Sequence, residues 1–360
     1  MRLLRLTSLA IGALASAIVS GAHSRESVPR PTGLQASRIR LDLTTPPPAN
    51  EPGARLAWAT KETARLRKAL ADRPRTLRPG ALLGALAVVA AYDIERAISI
   101  GDLASAAGMR DLLEEQITDA PWRLNWLAEH RAGGAYFALG VLTFHGVMVQ
   151  PDPDLACRLF ESAWGAGFDP AAYRLSNCVA QSDASRALRL LEVAAEAGHP
   201  AANEVLGRRC LEASPPDLAC ASSRIGLSAS AGRPSAKSLL GWMTAQGLGM
   251  PADTARALRL YGEAANAGDL PALNNLGEIH ETGRSVPADA AKAAGFYRQA
   301  AEAGFAPAQF NLGRMYAAGT GVPRDTTKAR EWLGAALKAG IQPAQKVLDW
   351  LDSPAGQARR

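Results

Sequence analysis

The chain holds no His-Glu-x-x-His pair, no Cys-x-x-Cys, no Gly-x-Ser-x-Gly elbow and no Gly-Lys dipeptide. Those absences remove the zinc-hydrolase helix, the paired-thiol metal or redox motif, the α/β-hydrolase nucleophile and the phosphate-binding loop. No Ser stands three places before a Lys, so the Ser-x-x-Lys nucleophile is missing too. Only five His occur, His23, His130, His145, His199 and His280, and none has a ligand at metal spacing. Gly319-Thr320-Gly321 looks like a phosphate loop, but no strand precedes it, and it reads as a helix-ending turn. The residues therefore predict no catalytic set, no metal and no cofactor.

Long apolar runs are also scarce. Arg2 and Arg5 precede a short apolar stretch, Leu6 to Val19, followed by small residues at Ser20, Ala22 and Ser24. This is the pattern of a secretory signal peptide over residues 1–24, and it predicts a periplasmic or secreted protein. An uncleaved anchor is the alternative, disfavoured by the run's length. No Cys follows to take a lipid. The stretch Ala81 to Tyr92 is nearly all apolar but spans twelve residues, which suits a buried helix better than a membrane span.

The net charge of +6 is unevenly placed. Residues 25–80 hold twelve Lys/Arg against five Asp/Glu, while the rest of the chain beyond them is slightly acidic. No basic helix runs through the later sequence to track phosphates, so nucleic acid is not an expected partner. Six prolines between Pro29 and Pro52 make residues 25–54 an extended linker. Residues 55–133 read as a helical N-terminal region. Leu56, Ala59, Thr63, Leu66 and Leu70 form one stripe at helical spacing beside Arg65, Arg67, Lys68, Arg73, Arg75 and Arg78. That basic helix, residues 55–78, either rests on an anionic envelope surface or docks its stripe on the rest of the chain.

The strongest signal is periodicity. Leu240-Gly241, Leu276-Gly277 and Leu312-Gly313 recur every 36 residues, and weaker copies stand at Leu139-Gly140, Leu175-Ser176 and Leu206-Gly207. Each repeat reads as two helices. A Pro opens helix A (Pro271, Pro307), and a Gly ends it (Gly247, Gly283, Gly319). Asp253, Asp289 and Asp325 stand where the N-cap of helix B is due, and Gly268, Gly304 and Gly340 end helix B. Ala and Gly on helix A leave room for close helix approach, and Leu260, Phe296 and Trp332 are expected to pack. Caps, stops and apolar phase agree repeat after repeat, which predicts an all-α stack of antiparallel helix pairs over residues 134–352 and a flexible tail at 353–360.

The repeat from Ala308 carries Leu312, Gly313, Tyr316, Gly319, Gly321, Val322, Asp325, Lys328, Ala329, Trp332, Ala336 and Gly340. It resembles the Sel-one-like repeat, a relative of the tetratricopeptide repeat. The resemblance implies a right-handed α-solenoid and a non-enzymatic adaptor for protein complexes, with exported bacterial members meeting envelope or host partners. It also leaves two rivals: a peptidoglycan enzyme or enzyme activator, including β-lactamase-like penicillin binding, and a structural spacer.

Cys157, Cys178, Cys210 and Cys220 lie in the weaker repeats. Cys210 is late in one helix A and Cys220 early in its helix B. Cys157 is early in a helix B and Cys178 late in the next helix A. Antiparallel packing brings each pair to one end, so Cys157–Cys178 and Cys210–Cys220 are the expected bridges in an oxidising compartment. Buried reduced thiols remain the alternative. In a tetratricopeptide-like stack helix A lines the concave face. The residues pointing there are then Phe137, Tyr173, Asn177, Glu204, Arg208, Trp242, Asn274, Glu278, Glu281, Phe310 and Arg314, a mixture suited to a protein or peptide partner. His280 is expected to be a packed aromatic rather than a ligand.

Overall fold

The structure, a computed structural model, describes residues 103–117, 120, 124, 128 and 133–357 other than Ser285, with positions 57, 59–61, 63, 64, 87–91, 93–95, 97 and 98. The expected signal peptide (1–24), the expected linker (25–54) and the basic cluster from Arg65 to Arg78 lie outside the described residues. All regular structure among the described residues is helical, as the periodicity requires. The described chain forms two compact bodies, one up to Ala202 and one from Asn203.

In the N-terminal body, α1 (Leu103–Asp111) runs into a π-helical turn, Leu112–Gln116. Ala59 and Thr63 are buried while Ala57, Lys61 and Ala64 are exposed, as the amphipathic stripe predicts at those positions. Ala87, Ala90, Ala91 and Ile94 are fully buried, so these described positions belong to the core. No described helix is long and apolar enough to cross a membrane. The repeats begin with α2 (Gly133–His145) and α3 (Pro153–Gly165), followed by α4 (Ala172–Val179) and α5 (Ala184–Glu196), each packed on the one before.

Helix α6 (Pro200–Glu212) begins at the division between the bodies. The C-terminal body continues with α7 (Leu218–Ser230), α8 (Pro234–Gln246), α9 (Thr254–Asn266), α10 (Leu270–Thr282), α11 (Ala290–Glu302), α12 (Ala306–Ala318), α13 (Thr326–Lys338) and α14 (Pro343–Asp352). From α7 to α14 each helix packs on its neighbour, and the A helices α8 and α10 also touch directly. The result is the expected stack of antiparallel helix pairs.

Local chemistry sets the start of each helix B and the end of three A helices. The carboxylates of Asp152, Asp183, Asp217, Asp253, Asp289 and Asp325 each accept a hydrogen bond from the amide three residues on, 2.8–3.0 Å away. One residue type thus starts helix B six times, satisfying an amide that the helix leaves without a partner. Gly247, Gly283 and Gly319 end helix A in the left-handed region at φ 70°, 68° and 76°, a backbone state that costs a side-chain-bearing residue energy.

The Gly of each Leu-Gly pair has a steric task. A Cβ on Gly277 would lie 2.6 Å from the ring of Tyr297, and one on Gly313 would lie 2.8 Å from Leu333. The notch receives a large side chain from helix B of the same repeat: Tyr261, Tyr297 and Leu333, all at most 3% exposed. Leu260, Phe296 and Trp332, expected from the sequence as the packed residues, are only partly buried, and Phe296 lies against the clusters of two successive repeats. The notch is therefore filled by the next residue along, and Phe296 packs across the seam between two repeats.

The end of the stack departs from the sequence reading. Within the expected flexible tail, Pro354–Gln357 form a short helix, α15. Arg324 holds it by donating to the Gly356 carbonyl at 2.6 Å, and Arg330 pairs with Asp352 at 2.7 Å.

Candidate functional site

In the C-terminal body, α6, α8, α10 and α12 present one register position in turn: Arg208, Trp242, Glu278 and Arg314. Trp242 is 42% exposed. Arg208 and Glu278 are exposed, and Arg314 is half-buried. Asn274 and Phe310, one turn earlier, are half-buried, and Phe310 packs on the core. The Asn311 amide donates to the Asn274 side-chain carbonyl at 3.0 Å, a rung between α12 and α10.

Two anchored carboxylates brace this face. Glu204 is 5% exposed and accepts from Ser235 Oγ at 2.7 Å, from Arg208 Nη2 at 2.8 Å and from Arg233. Burial opposes its charge, but these donors outweigh burial and hold its carboxyl below the usual carboxylate range. Glu281 accepts from Arg314 Nη2 at 2.7 Å and from the Tyr297 hydroxyl at 3.0 Å. Burial, reinforced by the Glu281 charge, pushes the Tyr297 phenol up. Tyr261 is pushed up to about 12, first by burial and then by the Glu278 carboxylate. Glu204 and Glu281 are thus braces, while Trp242 and Glu278 are left facing solvent.

The sequence-derived face needs correction at two positions. Phe137 is 2% exposed, held between Phe160 and Phe168 with ring centroids 5.8 and 5.3 Å away. It is core, because Phe168, at the end of the turn after α3, covers it. Glu204 is likewise buried, turned towards Arg233 and Ser235. In the N-terminal body Tyr173 is half-buried and stacks on His199 at 4.2 Å, and Asn177 is exposed. His280 is 9% exposed and stacks on Phe296 at 5.6 Å, as expected of a packed ring; burial lowers its pKa. It borders a cavity of about 650 Å³ with Pro287, Asp289 and Lys292. Among the described residues no cluster of His, Cys, Asp or Glu could hold a metal ion.

Both expected bridges are formed, Cys157–Cys178 at 2.03 Å and Cys210–Cys220 at 2.06 Å. The first ties α3 to α4, and the second ties α6 to α7 within one hairpin.

One cluster escaped the sequence reading. Glu95 is buried and takes both Arg174 Nε at 2.7 Å and Nη2 at 2.6 Å, with His145 Nε2 2.8 Å away. Burial opposes the Glu95 charge, and the hydrogen bonds to His145 and Arg174 with the Arg174 charge more than restore it, so its carboxyl sits below the ordinary value. Arg174 also lies 4.5 Å from the centre of the Phe144 ring. The three residues come from outside the repeats, the end of α2 and α4, and no spacing in the sequence links them.

Comparison with known proteins places this architecture. The Sel1 repeat family model matches residues 134–163, 170–199, 234–269, 270–305 and 306–341. It passes over 200–233, where α6 and α7 nevertheless form a hairpin closed by Cys210–Cys220. Among solved structures, a protective antigen of uropathogenic Escherichia coli strains displaying an SLR fold is 28% identical with a TM-score of 0.54. That match covers 64% of this chain and 50% of the antigen, so the chain spans about half of that relative's length. A Sel1 repeat protein from Oxalobacter formigenes is 25% identical with a TM-score of 0.52, over 60% of this chain and 93% of its own. No curated protein matches the chain. The repeating caps, the glycine notches and the five matched segments agree: this chain is a Sel1-repeat protein.

Proposed function

We propose that this chain is an exported, non-catalytic scaffold of the bacterial cell envelope, and that its C-terminal body holds a segment of a partner protein along Arg208, Trp242, Glu278 and Arg314. Sel1-repeat proteins are commonly interaction modules, which supplies the general class. The observation that carries the finer reading is Trp242. Trp242 is 42% exposed, on a face whose two arginines are each paired with a carboxylate. Exposed tryptophan is a poor use of apolar surface in a free monomer and a frequent anchor at binding hot spots. Arg208 and Arg314, each fixed on a carboxylate, are pre-ordered and lose little freedom on binding.

Export is supported by the two disulfides, which persist in oxidising compartments, and by the signal-like residues 1–24. The description of the E. coli relative as a protective antigen fits the same location. The basic residues 55–78 are proposed as a secondary contact to an anionic envelope surface. Cross-linking in cells followed by mass spectrometry identifies the partner. The double variant Trp242→Ala/Arg314→Glu should then lose that partner while its helical circular dichroism stays unchanged. Undiminished capture by the double variant refutes the groove.

A further inference from the structure

We propose that the occupant of this groove presents a cationic side chain, a lysine or arginine of an extended segment, clasped between the face of the Trp242 indole and the Glu278 carboxylate. The inference rests on the groove reading above and adds the chemistry of the partner.

Trp242 and Glu278 stand 36 residues apart at the same position of successive A helices, and those helices, α8 and α10, touch directly. Tyr261 connects them. Its ring lies 3.1 Å from where a Cβ of Gly241, the residue before Trp242 in the chain, would be, and its hydroxyl feels the charge of Glu278. The same register on touching helices sets the carboxylate and the indole on one face, both exposed.

The charge pattern selects the ligand. The neighbouring acids on this face are already committed: Glu204 to Arg208 and Arg233, and Glu281 to Arg314. Glu278 is exposed, and among the described residues its carboxylate joins no ion pair or hydrogen bond. Among the described residues the Trp242 indole makes no ring-stacking or cation–π contact. An indole face attracts cations through its quadrupole, and an adjacent carboxylate adds a charge partner. An acidic or purely apolar side chain would leave Glu278 desolvated without compensation, which disfavours it.

A random dodecapeptide display library panned on the intact chain tests this. The recovered peptides should share a Lys or Arg beside an apolar residue. A synthetic copy should bind about tenfold or more weakly to Trp242→Ala and to Glu278→Gln. Replacing its basic residue by Gln should weaken binding to the parent chain by a similar factor and weaken binding to Glu278→Gln by less, since only the indole contact remains to be lost there. Glu278→Gln alters an exposed group, so its folding is secure even if Trp242→Ala fails. Peptides that lose binding on Arg314→Glu, yet lack basic residues and ignore Glu278→Gln, overturn the cation assignment and leave the groove standing. Peptides indifferent to all these variants, or no peptides at all, overturn both.

Discussion

A single methyl group at Gly277 should reverse the usual benefit of replacing a helical glycine. Ala is favoured over Gly inside a helix by about 1 kcal/mol. At Gly262, in the middle of α9, a Cβ meets nothing within 4 Å, so Gly262→Ala should stabilise the chain by about that amount. At Gly277 the same Cβ would lie 2.6 Å, 2.7 Å and 3.0 Å from three carbons of the Tyr297 ring. That ring is 1% exposed, packed within the core, and tethered at its hydroxyl to Glu281, so it has nowhere to move. Overpacking of this kind costs about 1–3 kcal/mol, which cancels or exceeds the propensity gain. Gly277→Ala should therefore fall about 1–3 kcal/mol below Gly262→Ala. Adding Tyr297→Leu to Gly277→Ala should recover part of the overpacking loss. Urea unfolding followed by circular dichroism measures all four chains. Equal stabilisation by the two alanines would refute the notch as the reason for the Leu-Gly pair.

Alkylation of the oxidised, unfolded chain should label no thiol, and four labelled cysteines would rule out both bridges. Removing either bridge by paired Cys→Ser substitution should cost about 3 kcal/mol, given closed loops spanning sequence separations of 21 and 10 residues. Because the folded Glu204 carboxyl titrates below its ordinary value of 4.5, the unfolded chain binds the proton more readily. Its contribution is therefore complete above that value and is lost as pH falls through the depressed one. Glu204→Gln should flatten this part of the acid-unfolding curve, and an unchanged slope would refute the brace. Arg174→Ala should destabilise the N-terminal body by about 3 kcal/mol, because it leaves the buried Glu95 carboxylate with His145 as its remaining named partner. A neutral result in thermal unfolding would contradict that.

What the sequence disclosed follows from how local each interaction is. An Asp cap, a left-handed Gly and a Pro in the first helical turn act within four residues, so Asp253, Asp289 and Asp325 could be read without coordinates. Periodicity then placed distant residues, which is why Cys157–Cys178 and Cys210–Cys220 could be paired from their positions along antiparallel helices. It failed where packing turns on a single step around a helix. Phe296 and Tyr297 are both large and adjacent, and only the structure shows that Tyr297 enters the notch. It failed again at Phe137, which shares its register with Phe310 but is covered by Phe168. Glu95 lies outside the repeats, 50 residues from His145 and 79 from Arg174, so no period could bring them together.

The account stands on a braced helix-A face that receives a partner. Hydrogen–deuterium exchange of the intact chain, with and without its captured partner, reads that face directly. Slowed exchange concentrated in α8, α10 and α12 is the predicted result. Slowing confined to the B helices α9, α11 and α13, with those three A helices unchanged, would contradict it.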